Sequence, residues 1–106
     1  MKKKIKMPVE HAATMPDHSD EVQLKILGEQ LKIQREKAGK TQLQADEKLD
    51  KKSGWIADVE AGKIDPWITE VVFLCRFYKI EPTVLFKSIQ RSSDKIMKQH
   101  KKDVMN

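Results

Sequence analysis

Residues 41–62, TQLQADEKLDKKSGWIADVEAG, place the strongest constraint on the fold of this 106-residue chain. Thr41 and, three residues later, Gln44 form the Thr-x-x-Gln pattern of a capping box, which predicts that a helix begins here. The sequence DKKSG at residues 50–54 interrupts the helical pattern, so this helix is expected to be short.

A second short helix is predicted to begin at Lys52 or Ser53 and to carry Ile56 and Val59 on its apolar side. Gly62 follows at the position where a left-handed residue commonly ends a helix. Two helices joined by a turn of about three or four residues, within a basic chain, indicate a helix-turn-helix motif. The second helix of such a motif enters the major groove of DNA.

Over residues 27–86 the chain resembles, without a gap, the phage-repressor-like (Cro/Xre) helix-turn-helix domain. The matching residues stand in the order of that family: Leu27-Gly28, Leu31 and Arg35 in the first helix; Gly39-Lys40-Thr41-Gln42 at the start of the second; Ile56, Val59-Glu60 and Gly62-Lys63 in the third and its end; Glu81-Pro82-Thr83-Val84-Leu85-Phe86 in the last. The resemblance implies an all-α fold, a repressor-like domain of five helices.

The resemblance and the composition together divide the chain into three parts. Residues 20–87 are expected to form the helix-turn-helix domain, with the motif itself at 41–60. Residues 1–19 contain two prolines and no helical period, so a flexible leader is expected there. Residues 88–106 are expected to be a basic extension, in which Ser92-Ser93-Asp94 would cap an extra helix. The sequence leaves open whether that helix is a dimer element, a basic tail or frayed.

In the resembled family, residues matching Arg35 and Glu60 form a buried ion pair between the first and third helices. An unpaired buried charge would cost several kcal/mol, so the two residues should occur together, as they do here. The pair is therefore expected to hold the fold rather than to bind a ligand.

The fourth helix is the most apolar one and is predicted to begin at Asp65-Pro66, which supplies a cap and a proline at the first helical position. Its core face is expected to comprise Ile68, Val71, Val72, Cys75 and Tyr78, and to be widened by Trp67, Leu74 and Phe77. Pro82 is predicted to start a last short helix. Its apolar residues 84–86 either close the core or pair two subunits, as they do in related repressors.

The family's DNA contacts carry over to eight positions of this chain: Gln42, Lys51, Lys52, Ser53, Gly54, Trp55, Asp58 and Lys63. Gln42 matches a glutamine that touches the phosphate backbone, and the three lysines are expected to neutralise phosphates. Asp58 matches a position that often reads a base. Bases are read best by Arg, Lys, Asn or Gln, so Ser53, Gly54 and Asp58 make an unusual reading surface.

Two aspartates also depart from the family pattern. Asp46 stands where the family has a small apolar residue against the third helix, and a buried carboxylate there must pair, reach solvent or loosen the second helix. Lys51 and Lys52 are the nearest candidate partners, and replacement of Asp46 by Ala is expected to stabilise the domain by about 1 kcal/mol. Asp50 lies in the turn, where Asp tolerates a left-handed conformation better than most residues.

The net charge of +5 permits a polyanionic partner, although residues 22–87 carry 12 basic and 10 acidic side chains and are only mildly basic. The single cysteine, Cys75, rules out a disulfide framework within the chain and is expected in the core. No apolar run is long enough to span a membrane, so a cytoplasmic protein without a membrane partner is expected. The sequence has no metal-ligand spacing, phosphate loop or catalytic triad, and predicts no enzyme activity, cofactor or metal site.

The sequence therefore predicts a sequence-specific transcriptional regulator, a repressor that binds double-stranded DNA as a homodimer. The alternative is a degenerate helix-turn-helix scaffold that serves as a protein–protein interaction module or antitoxin. Trp55, Trp67 or the C-terminal helix would then be its anchor. A salt titration separates the two, because phosphate binding weakens linearly with the logarithm of salt concentration.

Overall fold

The structure is a computed structural model that describes residues 20–105, apart from the side chains of residues 97 and 99–105, so the predicted leader at 1–19 lies outside the described residues. It contains five helices and, in this range, no strand: α1 (Asp20–Lys37), α2 (Gln42–Lys48), α3 (Trp55–Glu60), α4 (Ile68–Tyr78) and α5 (Pro82–Met105). The predicted all-α, five-helix fold is confirmed. None of these helices combines the length and hydropathy that crossing a membrane requires.

One apolar cluster lies where the five helices meet, and every helix contributes to it. Its largest fully buried side chains are Leu31, Ile56, Leu74, Leu85, Val59 and Cys75. α2 enters the cluster through Ala45, which has no exposed surface. Burial raises the pKa of the Cys75 thiol, so this residue behaves as a small core side chain, as the sequence predicts.

α4 begins later than the sequence predicts. It starts at Ile68, with Trp67 as the capping residue, and the Trp67 backbone N–H donates to Glu70 Oε1 at 2.8 Å. The buried face of α4 is formed by Val71, Leu74, Cys75 and Tyr78. The predictions of Ile68 and Trp67 as residues of the core face are wrong: the two residues are 61% and 76% exposed, because they lie at the start of the helix, beyond the packed cluster.

The prediction of a short last helix followed by a separate C-terminal helix is also wrong. α5 is a continuous helix of 24 residues, and no Gly or Pro after Pro82 interrupts it. Ser92 and Ser93 do not cap a helix. Ser92 Oγ accepts a hydrogen bond from Gln30 Nε2 at 3.3 Å, and Ser93 Oγ accepts one from Gln23 Nε2 at 3.2 Å. These bonds tie the middle of α5 to α1.

The helices α1 to α4 end alike, each followed by a residue with a positive φ: Gly39, Asp50, Gly62 and Lys79. After α3, the Gly62 N–H donates to the Val59 carbonyl and the Lys63 N–H donates to the Asp58 carbonyl. This pair of bonds is the Schellman motif, in which a left-handed residue ends a helix. The predicted roles of Gly62 as a helix end and of Asp50 as a left-handed turn residue are both confirmed.

Candidate nucleic-acid interface

A carboxylate from α2 fixes the first turn of α3. Asp46 is 2% exposed; its Oδ2 accepts from the Gly54 N–H at 3.0 Å and its Oδ1 accepts from the Ile56 N–H at 2.7 Å. The first N–H groups of a helix have no partner inside the helix, and an acceptor placed there stabilises it. Asp46 therefore caps α3 from the preceding helix and sets the relation between the two helices of the motif.

This contact corrects two expectations. Asp46 is not a misfit that pairs with Lys51 or Lys52, because two backbone N–H groups already satisfy its carboxylate. Replacement of Asp46 by Ala is therefore expected to destabilise the domain, not to stabilise it as the sequence alone indicated. α3 also begins at Trp55 rather than at Lys52 or Ser53, since Gly54 has a φ of 96° and stands outside the helix. A glycine at the capping position offers no side-chain acceptor, and in this structure Asp46 supplies the acceptor from α2.

The last turn of α3 is fixed by a second network, centred on Glu60. Arg35 Nε donates to Glu60 Oε2 at 2.7 Å, and Arg35 Nη2 donates to Glu60 Oε1 at 3.1 Å. The predicted ion pair between the first and third helices is thus confirmed. The hydrogen bond to Glu60 raises the pKa of the Arg35 guanidinium, although burial acts in the opposite direction. Arg35 Nη1 also donates to the Lys40 carbonyl at 2.8 Å, which ties the start of α2 to the same network.

Gln42 joins this network from the first position of α2. Its Nε2 donates to Glu60 Oε1 at 3.0 Å, and the residue is exposed. The structure therefore brings Gln42 next to the end of α3, with its side-chain amide hydrogen-bonded to Glu60.

Five more of the predicted positions follow one another along the outer side of the turn and α3. Ser53 and Gly54 are exposed, and Asp58 stands one helical turn after Gly54, whose carbonyl accepts from the Asp58 N–H at 3.1 Å. Lys63 is exposed just after the helix, and its N–H donates to the Asp58 carbonyl at 2.9 Å. Lys52 is exposed in the turn. No ion pair within residues 20–96 engages Asp58.

The remaining two predicted positions point to a different surface. Lys51 Nζ forms an ion pair with Glu70 Oε2 at 2.5 Å and lies 4.7 Å from the ring centre of half-buried Trp55. Burial would raise the pKa of Glu70, but hydrogen bonds from Lys51 and from the Trp67 backbone lower it overall. Lys51 thus joins the turn to α4 and is the weakest of the phosphate candidates. Sequence reasoning missed this pair because no periodic pattern links residues on two different elements.

Among the described residues, no group of three or more His, Cys, Asp or Glu side chains is arranged to hold a metal ion. The geometry instead presents one short helix, held at both ends, beside a turn that carries exposed lysine. This is the arrangement by which a helix-turn-helix motif offers its second helix to DNA.

A sequence profile of the helix-turn-helix domain family matches residues 26–85, which is more than half of the chain. Comparisons with curated proteins and with solved structures gave no match. The matched range begins in α1, contains the whole of α2, α3 and α4, and ends in α5 at Leu85. With this match and this fold, the chain belongs to the helix-turn-helix domain family, as its Cro/Xre resemblance implies.

Proposed function

We propose that this protein is a sequence-specific transcriptional regulator, a repressor that binds the major groove of DNA as a homodimer. The observation that supports the proposal is that α3 is fixed at both ends, by Asp46 at its first turn and by the Arg35–Glu60 pair at its last. A recognition surface needs such support, because side chains that read DNA must be held in place by their neighbours.

Gln42 is assigned to the phosphate backbone. An amide NH₂ group has two N–H donors, and only one of them is used by Glu60. The other is free to donate to a phosphate oxygen. Because Glu60 already orders the side chain, little rotamer entropy remains to be lost on binding.

Lys52 and Lys63 are assigned to the phosphates on either side of the groove. Both are exposed, and no ion pair in the described part of the chain engages either of them. Lys51 is given a positioning role, because its ammonium group is bound to Glu70.

Ser53, Gly54 and Asp58 form the surface assigned to the base edges, and Trp55, whose ring contacts Lys51, lies beside it. Ser53 is the only hydroxyl among them, Gly54 brings backbone rather than side chain to the groove, and Asp58 is the only charge. An aspartate can accept a hydrogen bond from the amino group of cytosine, and it otherwise repels nearby phosphates. We expect repulsion to dominate, since no polar neighbour on α3 fixes the register of Asp58 on a base.

A homodimer supplies the second half of the proposed site. Val84 and Phe86 on α5 remain 46% and 42% exposed, which is apolar surface that a second copy would cover. A two-fold dimer would place two recognition helices in successive major grooves about 34 Å apart and would block a promoter sterically. This role places the protein in the cytoplasm. Analytical ultracentrifugation of the parent and of Val84→Ser/Phe86→Ser tests the dimer, which the double variant should weaken.

The test of DNA binding begins with selection of bound duplexes from a random DNA pool, followed by anisotropy titrations of the selected and a scrambled duplex at several salt concentrations. Replacement of Asp58 by Ala should strengthen binding to both duplexes, most at low salt, if the carboxylate acts by repulsion. Loss of a base contact would instead weaken binding to the selected duplex alone, by about 1–3 kcal/mol.

The matched control uses two pairs of lysines. Lys52→Ala/Lys63→Ala should weaken binding to every duplex and reduce the salt slope by about two for each bound subunit, which is about four for the dimer. Lys32→Ala/Lys87→Ala, on the exposed surfaces of α1 and α5, should leave the slope unchanged. If neither the Asp58 variant nor the first lysine pair alters duplex binding, the scaffold serves protein binding instead, as an interaction module or antitoxin.

A further inference from the structure

A groove of about 730 Å³, open to solvent, lies between the end of α2, the following turn and α4. Three aromatic side chains line it: Trp67, which is 76% exposed, Phe73, which is 55% exposed, and half-buried Phe77. Clustered exposed aromatic residues on a small domain commonly mark an interaction surface. Of the eight positions that the family resemblance links to DNA, only Lys51, whose ammonium group is bound to Glu70, also lines this groove.

The groove is strongly basic. Five of its lining side chains are cationic and two are carboxylates; the cations are Lys40, Lys48, Lys51, Arg76 and Lys79. Glu70, one of the carboxylates, is already bound to Lys51. The four other cations have no ion-pair partner among the described residues, so the free charge of the groove is positive.

Aromatic and basic groups are also in direct contact there. The Nζ atoms of Lys40 and Lys48 lie 4.9 Å and 5.8 Å from the ring centre of Phe77. These cation–π contacts hold two ammonium groups at the groove wall. The groove therefore presents an apolar floor with positive charge fixed beside it.

Backbone strain coincides with the same surface. Asp50 and Lys79 have φ values of 56° and 60°, and they are the two residues other than glycine with a positive φ in the described range. Both line the groove. Both are the left-handed residues that end α2 and α4, so the helix ends place an Asp and a Lys side chain at the groove in positions where glycine is common.

We propose that this groove binds an acidic segment of a partner protein that carries an aromatic or aliphatic anchor residue. The anchor would pack on Trp67 and Phe73, while neighbouring carboxylates would pair with Lys48, Arg76 and Lys79. The volume lies within the range of about 300–1,000 Å³ that is usual for ligand sites. Charge complementarity of this kind directs a partner to its site and fixes its orientation.

The groove is less suited to binding single-stranded nucleic acid than to binding an acidic peptide. It binds along a continuous positive track with successive bases stacked on aromatic faces. Here the carboxylates of Asp50 and Glu70 interrupt the track, and two lysines already cover the Phe77 ring. This proposal is independent of duplex binding at α3, since it uses a different face of the motif.

The test is fluorescence anisotropy of the full chain with a fluorescein-labelled peptide of Asp and Glu residues around a central Phe-Leu pair. The charge-reversal pair Lys48→Glu/Arg76→Glu should weaken binding about tenfold or more. Lys32→Glu/Arg91→Glu, which makes the same changes on exposed positions of α1 and α5, should alter it less than about twofold. Trp67→Ala should also weaken binding, and its exposed side chain makes no contribution to the buried core.

Competition experiments complete the test. An acidic peptide without the Phe-Leu pair should compete poorly, and so should a thymidine oligonucleotide. The proposal is overturned if the labelled peptide does not bind, or if both charge-reversal pairs weaken peptide binding equally. It is also overturned if the oligonucleotide displaces the peptide and its own binding is weakened as much by Lys48→Glu/Arg76→Glu. Duplex binding measured with the same variants shows separately whether the α3 surface is intact.

Discussion

Replacement of Asp46 by Ala should destabilise the domain by about 2–3 kcal/mol. The carboxylate accepts from two backbone N–H groups, at 3.0 Å and 2.7 Å, and its residue is 2% exposed. Loss of a helix cap costs about 0.5–2 kcal/mol, and a buried donor left without a partner costs about 1–3 kcal/mol. The variant no longer buries a carboxylate, so it also avoids the cost of that burial. The expected destabilisation is therefore smaller than the sum of the lost cap and the unpaired N–H groups.

The assay is urea unfolding followed by far-UV circular dichroism, with a thermal melt in parallel. For a domain of this size, about 2–3 kcal/mol corresponds to a fall in Tm of about 10–20 °C. Asp46→Asn, which keeps one acceptor oxygen, should fall between the parent and Asp46→Ala. Asp58→Ala is the matched control, because Asp58 has no side-chain hydrogen bond or ion pair to another described residue. An Asp46→Ala variant as stable as the parent would refute the capping role.

Three further perturbations follow from the same contacts. Arg35→Ala should cost about 3 kcal/mol by leaving Glu60 uncompensated, and an unchanged urea midpoint would show that the pair contributes little. Gly28→Ala should cost about 1–3 kcal/mol in the same assay, because an added Cβ would lie 2.4 Å from the Val59 carbonyl oxygen and force α1 away from α3. The pKa of Glu70 is lower in the folded state than its ordinary value of 4.5. The ionised carboxylate therefore contributes to the free energy of unfolding above pH 4.5, and this contribution is lost as the pH falls through the folded-state pKa. In thermal melts from neutral to acidic pH, the Tm of Glu70→Gln should therefore fall less than that of the parent. Equal falls in Tm for the two proteins would contradict this.

Sequence reasoning succeeded where a residue type has a narrow range of roles. The capping box at Thr41 and Gln44 forms as predicted, with Gln44 N–H donating to Thr41 Oγ1 at 3.0 Å and Thr41 N–H donating to Gln44 Oε1 at 2.8 Å. Gly62 ends α3, and Arg35 pairs with Glu60. Each of these depends on local spacing or on the resemblance, both of which a single sequence records.

It failed where a side chain's partner lies on another element and the family resemblance does not supply the pairing. From the sequence, burial of the Asp46 carboxylate is expected to be costly. In the structure, the backbone N–H groups of Gly54 and Ile56 donate to it and offset that cost. Ser92 and Ser93 have the composition of a helix cap, but α1 offers them amide donors instead, so α5 runs through them. In both cases the side chain contacts another helix instead of acting within its own segment. No periodic pattern in the sequence indicates such a contact.

The hydrogen bonds between α1 and α5 have a consequence for the order of folding. Gln23 and Ser93 are separated by 70 positions, whereas Asp46 and Ile56 are separated by 10. Because loop-closure entropy grows with the logarithm of loop length, closing the longer loop costs about 1.7 kcal/mol more. We therefore expect the contact between α2 and α3 to form early and locally, and α5 to join α1 afterwards and hold the two ends of the domain together.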